Sequence, residues 1–294
     1  MKKILFSSGL IVFVAAVTLS ATGAFFSDTE TSTGNTFTAG DIDLKIDNES
    51  YITATTTIPE IEQVAGQLIA SPWTSWALAD LEEGTHKFFD FIDLKPGDIG
   101  EDTISIHVGS NDAWMCAAAR LTDNSDQTCT ESEIEDGDPN CVPEDNGFSG
   151  DLAQALNFAF WVDDGDNVLE TDEYNGGAGI FLQGPLSGLD LQGKITLADS
   201  ASSILGDNIP IPGDTTFYIA KAWCFGTLTP TPEDEGEDLS PLNGTGFTCA
   251  GADVNNAAQT DRVQGDMEFY AVQSRNNPTF TCDEGYTPFR GIDN

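Results

Sequence analysis

Residues 156–162 read LNFAFWV, and Leu156, Phe158, Phe160 and Val162 fall on one side when every second residue is taken. Period two is the period of a pleated strand, whose successive side chains point to opposite faces. Aromatic and β-branched side chains suit that half-buried surface. The pattern recurs on both sides. Upstream, Ile42, Leu44 and Ile46 alternate in DIDLKI, Phe89, Phe91, Ile92 and Leu94 form a dense run, and Ile104, Ile106 and Val108 alternate in TISIHV. Downstream come KITL, TTFYIAKAWCF and MEFYAVQ. Turn-forming pairs separate these runs: Pro96-Gly97, Gly176-Gly177, Pro212-Gly213, and Asn276-Asn277-Pro278.

Helical signals are few. Residues 60–70, 76–83 and 151–156 each support at most a short helix, and none sustains a 3.6-residue period. The expected fold is therefore all-β: an antiparallel jelly roll or β-sandwich with short helical insertions. Two acidic segments rich in Gly, Pro, Asn and Thr, at about 122–150 and 229–262, read as long loops whose cysteines limit their entropy. Pro-Gly-Asp precedes both TISIHV and TTFYIAKAW, which suggests two similar corners leading into core strands.

The charge excludes some partners. Eleven Lys+Arg stand against 49 Asp+Glu, a formal net charge of −38, which repels nucleic acid and anionic membrane surfaces. With 39% hydrophobic residues the chain still has ample material for a packed core, so it is not an acidic disordered tail. Residues 1–3 are Met-Lys-Lys, residues 4–19 are almost wholly apolar, and residues 20–24 are small, as in a secretory signal. The expected organisation is a signal peptide over 1–23, an extended segment over 24–40, and a sandwich domain over 41–294. A retained anchor would need about 20 apolar residues, so no stable membrane insertion is expected after cleavage.

Six cysteines follow the signal: Cys116, Cys129, Cys141, Cys224, Cys249 and Cys282. An even number in an exported chain suggests disulfides. Several connectivities are possible; the favoured set joins Cys129 to Cys141 across a short acidic loop and Cys224 to Cys249, which leaves Cys116 with Cys282. No C-x-x-C spacing points to zinc or redox use.

The segment GAFFSDTETSTGNTFTAGDIDLKI behind the apolar signal, followed some fifty residues later by LKPGD, resembles the TasA/camelysin family of exported proteins with SipW-dependent-type signals. The resemblance covers residues 1–46 well and 94–108 moderately; beyond Cys116 it reduces to general strand character. It implies an extracellular jelly-roll subunit of fibres or biofilm matrix that polymerises with itself, and with other matrix components, by lending its N-terminal segment to a neighbour as a strand. On that basis Phe25, Phe26 and Phe37 are candidate assembly anchors. The five threonines between residues 29 and 38, with no proline among them, suit main-chain pairing to an open sheet edge.

The family name also covers proteins described as metallopeptidases. Here only His86 and His107 exist, without H-E-x-x-H, and no nucleophile elbow or phosphate loop is present, so no catalytic residue is assigned. The constellation that carries chemistry is WVDDGDNVLETDE, residues 161–173. It gathers Asp163, Asp164, Asp166, Asn167, Glu170, Asp172 and Glu173 around Gly165. Calcium takes six to eight oxygens, and a tight Asp/Asn loop closed by a later Glu supplies them, although no glycine stands at the sixth position as in an EF-hand. A structural calcium ion is the expected cofactor, and ESEIEDGDPNCVPEDN, residues 131–146, is a looser second candidate. Two functions fit: a secreted fibre subunit, or a monomeric cell-surface protein that binds a ligand with calcium and its long loops.

Overall fold

The structure is a computed structural model describing residues 42–53, 68–138, 141, 148–176, 179–190, 193–236 and 239–289. The expected signal, the 24–40 segment and its Phe25, Phe26 and Phe37 lie outside the described residues.

Twelve strands run through the described residues: β1 Lys45–Thr53, β2 Leu68–Ala70, β3 Trp76–Ala79, β4 Ile99–His107, β5 Ala113–Ser125, β6 Leu156–Asp163, β7 Ile180–Pro185, β8 Ile195–Ala198, β9 Thr216–Phe225, β10 Thr227–Pro230, β11 Phe247–Ala250 and β12 Arg262–Gln273. All pair antiparallel. Seven form one sheet in the order β2-β1-β4-β9-β6-β7, with β3 also on β1; β12-β5-β8 form a second, and β10-β11 a ribbon. Five short helices interrupt them: α1 Glu131–Glu135, α2 Leu152–Ala155, α3 Thr171–Asn175, α4 Leu186–Asp190 and α5 Cys282–Gly285. No helix among the described residues is long and apolar enough to cross a membrane.

The fold is thus an all-β sandwich with short helical insertions. Alternation explains the main core: Ile46, Ile104, Ile106, Phe158, Phe160 and Ile219 of the large sheet pack with Met115 and Ala117 of the small one, while Met267 and Phe269 of β12 lie half-buried against them. The opposite face of β6 and β9 is covered as well. Ala159, Trp161, Ala220, Ala222 and Cys224 bury against Leu169, Leu228 and Phe247, which come from the ribbon and the loop beside it. Burial on both faces accounts for the nearly unbroken buried run of β9.

Several local expectations change. Residues 76–83 are not a helix: Trp76–Ala79 pair with β1 instead, and Leu68–Ala70, the described end of the 60–70 candidate, also pair with β1, whereas the 151–156 candidate is helical over Leu152–Ala155. The Phe89–Leu94 run is not a strand. Phe88 is buried and Phe89 and Phe91 close over the interior from its rim, with ring centroids 5.0 Å from Trp76, 5.4 Å from Phe158 and 5.1 Å from Trp223 respectively. Gly100 makes room there, since a Cβ would meet the Trp223 indole nitrogen at 2.4 Å. The two Pro-Gly-Asp corners feed β4 and β9, neighbours in the same sheet. The acidic loops are shorter than expected: β5 runs through Ser125, and β11 interrupts the second.

All three favoured cysteine pairs are bonded: Cys116–Cys282, Cys129–Cys141 and Cys224–Cys249. The first ties β5 to α5 across 166 residues, and the last ties β9 to β11.

Candidate metal centre

Strand β6 ends on Asp163, which points to the same face as Ala159 and Trp161, toward the ribbon rather than the sandwich interior. Its Oδ2 accepts from the Thr103 hydroxyl at 3.3 Å and from the backbone amides of Gly165 at 3.1 Å and Asn167 at 3.3 Å. The chain then turns tightly. Gly165 has φ 115° and lies against the Tyr218 ring, which a Cβ would meet at 3.1 Å; Asn167 has φ 64°. Asp166 Oδ1 accepts from Val168 N at 3.0 Å. Val168 and Leu169 are fully buried and pin the far end of the turn.

Glu173 folds back from α3 and staples the loop, accepting from Asp164 N at 2.9 Å and Glu170 N at 3.3 Å. The segment beside β10 closes the other side. Glu233 N donates to Leu169 O and Thr171 N to Glu233 O, both at 2.9 Å. That pairing carries Glu235 alongside Glu170 and Asp172.

The outcome is three overlapping carboxylate triads: Asp163, Asp164 and Glu173; Asp164, Asp166 and Glu170; Glu170, Asp172 and Glu235. Within each, the candidate ligand oxygens lie within 4.8 Å of one another. Oxygens bound to one calcium ion at about 2.3–2.6 Å stand at such separations. Every acid expected from the sequence is in the cluster, with Asn167 buried beside it. Asp163 Oδ1 and both polar side-chain atoms of Asn167 are buried without a hydrogen-bond partner. Behind Asp163 lies Glu101 of β4, fully buried; the Thr245 hydroxyl stands beside it but aligns with Phe247 O at 2.9 Å, so that neither Glu101 oxygen gains a well-formed hydrogen bond.

Among the described residues, no lysine, arginine or histidine pairs with these acids. Burial, reinforced by Asp166, pushes Asp163 up to about 7 and Glu170 to about 7; burial and the Asp163 charge push Glu173 to about 9. Burial holds Glu101 well above the usual carboxylate range, with Asp163 adding to it. Orphaned oxygens and mutually repelling carboxylates fit a hard cation, whose charge reverses both penalties. Calcium suits the all-oxygen donor set. Asp163, Asp164, Asp166, Glu170 and Glu173 would hold it, with Asn167 supplying a neutral oxygen.

Glu101, Thr103 and Glu235 escape a local reading, because they reach the loop from other strands and segments. The one signal for Glu101 is the adjacent Glu101-Asp102 pair inside a strand whose Ile104 and Ile106 alternate inward, where alternation sends one acid to each buried face. The looser candidate at 131–146 behaves differently. Thr130 and Glu133 form a capping box at α1, Glu133 also accepts from the Thr260 hydroxyl, and Asp136 accepts from Asn256. Cys129 and Cys141, which flank Glu133, are bonded to each other. The histidines lie apart from both regions: His86 Nδ1 accepts from Glu82 N at 2.9 Å, and His107 Nε2 lies 3.5 Å from Asp47.

No protein-family model matches the chain, and no curated protein matches it in sequence.

Proposed function

We propose that this protein is a secreted, non-catalytic structural subunit of an extracellular fibre or matrix, stabilised by calcium at residues 163–173 and polymerised by donation of its N-terminal segment to a neighbouring copy. The observation that carries this reading is the edge of the small sheet. Strand β12 is 12 residues long, pairs with β5 on one side and with no strand on the other among the described residues. None of its residues is fully buried, although Met267, Phe269 and Ala271 pack toward the core. A long edge presenting unpaired amides and carbonyls beside half-covered apolar side chains is the surface to which an extended segment adds.

Four further features support it. The chain divides after Asp41, so residues 42–294 form a unit by themselves. The segment before it carries Phe25, Phe26 and Phe37, and burial of each would contribute about 1.5–3 kcal/mol before ordering entropy is subtracted. Its sequence is also the part that resembles the TasA/camelysin family. Calcium fits the same role, since a cation neutralising the loop stiffens the ribbon over the large sheet.

The test is removal of residues 25–37 from the mature chain, followed by electron microscopy and sedimentation in calcium. The expected product is folded, soluble and unable to form filaments. Filaments from the truncated chain would overturn strand donation. A full-length mature chain that stays monomeric at every calcium and protein concentration would instead favour the monomeric binding protein.

A further inference from the structure

A second group of acids lies where β5 ends and β12 begins, beside the helix α2 that leads into the start of β6. Asp126 follows the last residue of β5 and is 1% exposed, and neither of its carboxylate oxygens has a hydrogen-bond partner. Asp261 immediately precedes β12, and its carboxyl lies within hydrogen-bond reach of that of Asp126. Two acceptors therefore face each other with no donor between them. Asp261 Oδ2 is fixed by the amides of Asp151 at 2.6 Å and Leu152 at 3.1 Å, which leaves its buried Oδ1 without a partner. The charges of Asp138 and Asp126 both bear on Asp151, whose amide holds Asp261.

The surroundings are built to hold them there. Asn124 Nδ2 donates to Gly150 O, Asn124 Oδ1 accepts from Ala153 N at 3.2 Å, and Gly150 N donates to Asn124 O at 2.9 Å. A Cβ on Gly150 would stand 3.0 Å from Asp261 Oδ2 and 3.1 Å from the Ser125 backbone, so the missing side chain lets the two stretches of chain close on the group without displacing either. Arg262, which follows Asp261 in the chain, is engaged by Asp123 at 2.6 Å. Burial pushes the Asp261 carboxyl up to about 7, the Asp126 carboxyl adding to it against the opposing Asp151 amide.

We propose that the facing carboxylates of Asp126 and Asp261 form a second divalent-cation site, distinct from the loop at 163–173 and suited by its all-oxygen donors to calcium. An unpartnered buried carboxylate costs several kcal/mol unless it is neutralised. A proton can neutralise one acid of the facing pair; a divalent cation neutralises both and fills the orphaned lone pairs. The site would clasp the excursion after β5 to the start of β12, at the foot of the open edge strand. It does not depend on the fibre role or on the first cluster.

The test is calorimetric titration of the mature protein with calcium chloride, in the wild type, in Asp126→Asn, and in Asp163→Asn/Asp166→Asn. The expected result is a binding event that survives in the Asp163/Asp166 variant and disappears in Asp126→Asn. Asparagine keeps the shape of a protonated aspartate, so Asp126→Asn should fold and melt at least as high as the wild type in chelator. Asp261→Asn, read by calcium-dependent amide protection at residues 126 and 149–152, provides a second line should that variant fail to fold. Calcium binding unchanged in Asp126→Asn, or protection unchanged in Asp261→Asn, would overturn the site.

Discussion

Lys221 Nζ lies 2.6 Å from Asp102 Oδ2 on the neighbouring strand, and neither side chain has any solvent exposure. The two are direct cross-strand partners on the interior face of the large sheet, and the Phe89 ring lies under the ammonium at 3.6 Å. Asn48 donates to the same Asp102 oxygen at 3.4 Å and to Thr74 O at 2.6 Å. This explains how a lysine stands in the middle of TFYIAKAWCF without breaking the core: its charge is matched within the sheet and capped by the aromatic plug. Removing one partner of a buried pair strands the other charge. Lys221→Met should therefore destabilise the domain by about 3–5 kcal/mol, and Lys221→Met/Asp102→Leu should recover most of the loss. Urea unfolding measures both; a single variant within experimental error of wild type would contradict the pairing.

Calcium should raise the melting temperature of the mature protein, and Asp163→Asn/Asp166→Asn should remove the larger part of that rise. Binding to the native state adds RT ln(1 + [L]/Kd), about 2.7 kcal/mol when the ion is at a hundred times its Kd. Thermal melts with calcium and with chelator provide the comparison. An undiminished calcium shift in the double variant would remove the loop at 163–173 from the account.

Without metal, stability should fall as pH rises. Asp163 and Glu170, raised to about 7, and Glu173, raised to about 9, keep protons in the folded chain that the unfolded chain releases near pH 4. The native state then binds more protons than the unfolded state from about pH 4 to pH 7, and to about 9 for Glu173, so stability declines across that window. In chelator the protein should melt higher at pH 5 than at pH 8. Saturating calcium should reverse the order, because the ion binds deprotonated carboxylates. A flat chelator profile would show that the acids are not held together.

Gly246 should be intolerant of alanine. Its φ is +73°, and a Cβ would lie 2.2 Å from Leu169 O, the carbonyl that also receives Glu233 N. Gly246→Ala should push the ribbon off the 163–173 loop and weaken calcium binding at least about tenfold, equivalent to about 1.4 kcal/mol, while the sandwich still folds. Calcium titration alongside circular dichroism tests it; unaltered affinity would mean the ribbon does not position the loop.

The sequence made local features legible and hid those that depend on distant contacts. Strands such as LNFAFWV and TISIHV declare themselves by alternation, and the loop at 163–173 by the density of its acids. Trp76–Ala79 carries too short a pattern to distinguish helix from strand, and pairing with β1 decides it. The aromatics at 88–91 look like a strand because their composition suits either a ladder or a plug; Asp93, at φ 59°, and the Gly100 recess favour the plug. Glu101, Glu235, Asp126 and Asp261 meet the other acids of their groups only when segments far apart in the chain come together, so no local spacing marks them.

The most direct test of strand donation is hydrogen exchange on the domain lacking residues 25–37, with and without a synthetic peptide spanning residues 25–40. Strand donation predicts that the peptide slows exchange along residues 266–273, the regular part of β12 beyond its irregularity at Gln264/Gly265, and raises the melting temperature without forming filaments. Exchange along β12 that is unchanged by saturating peptide would contradict it.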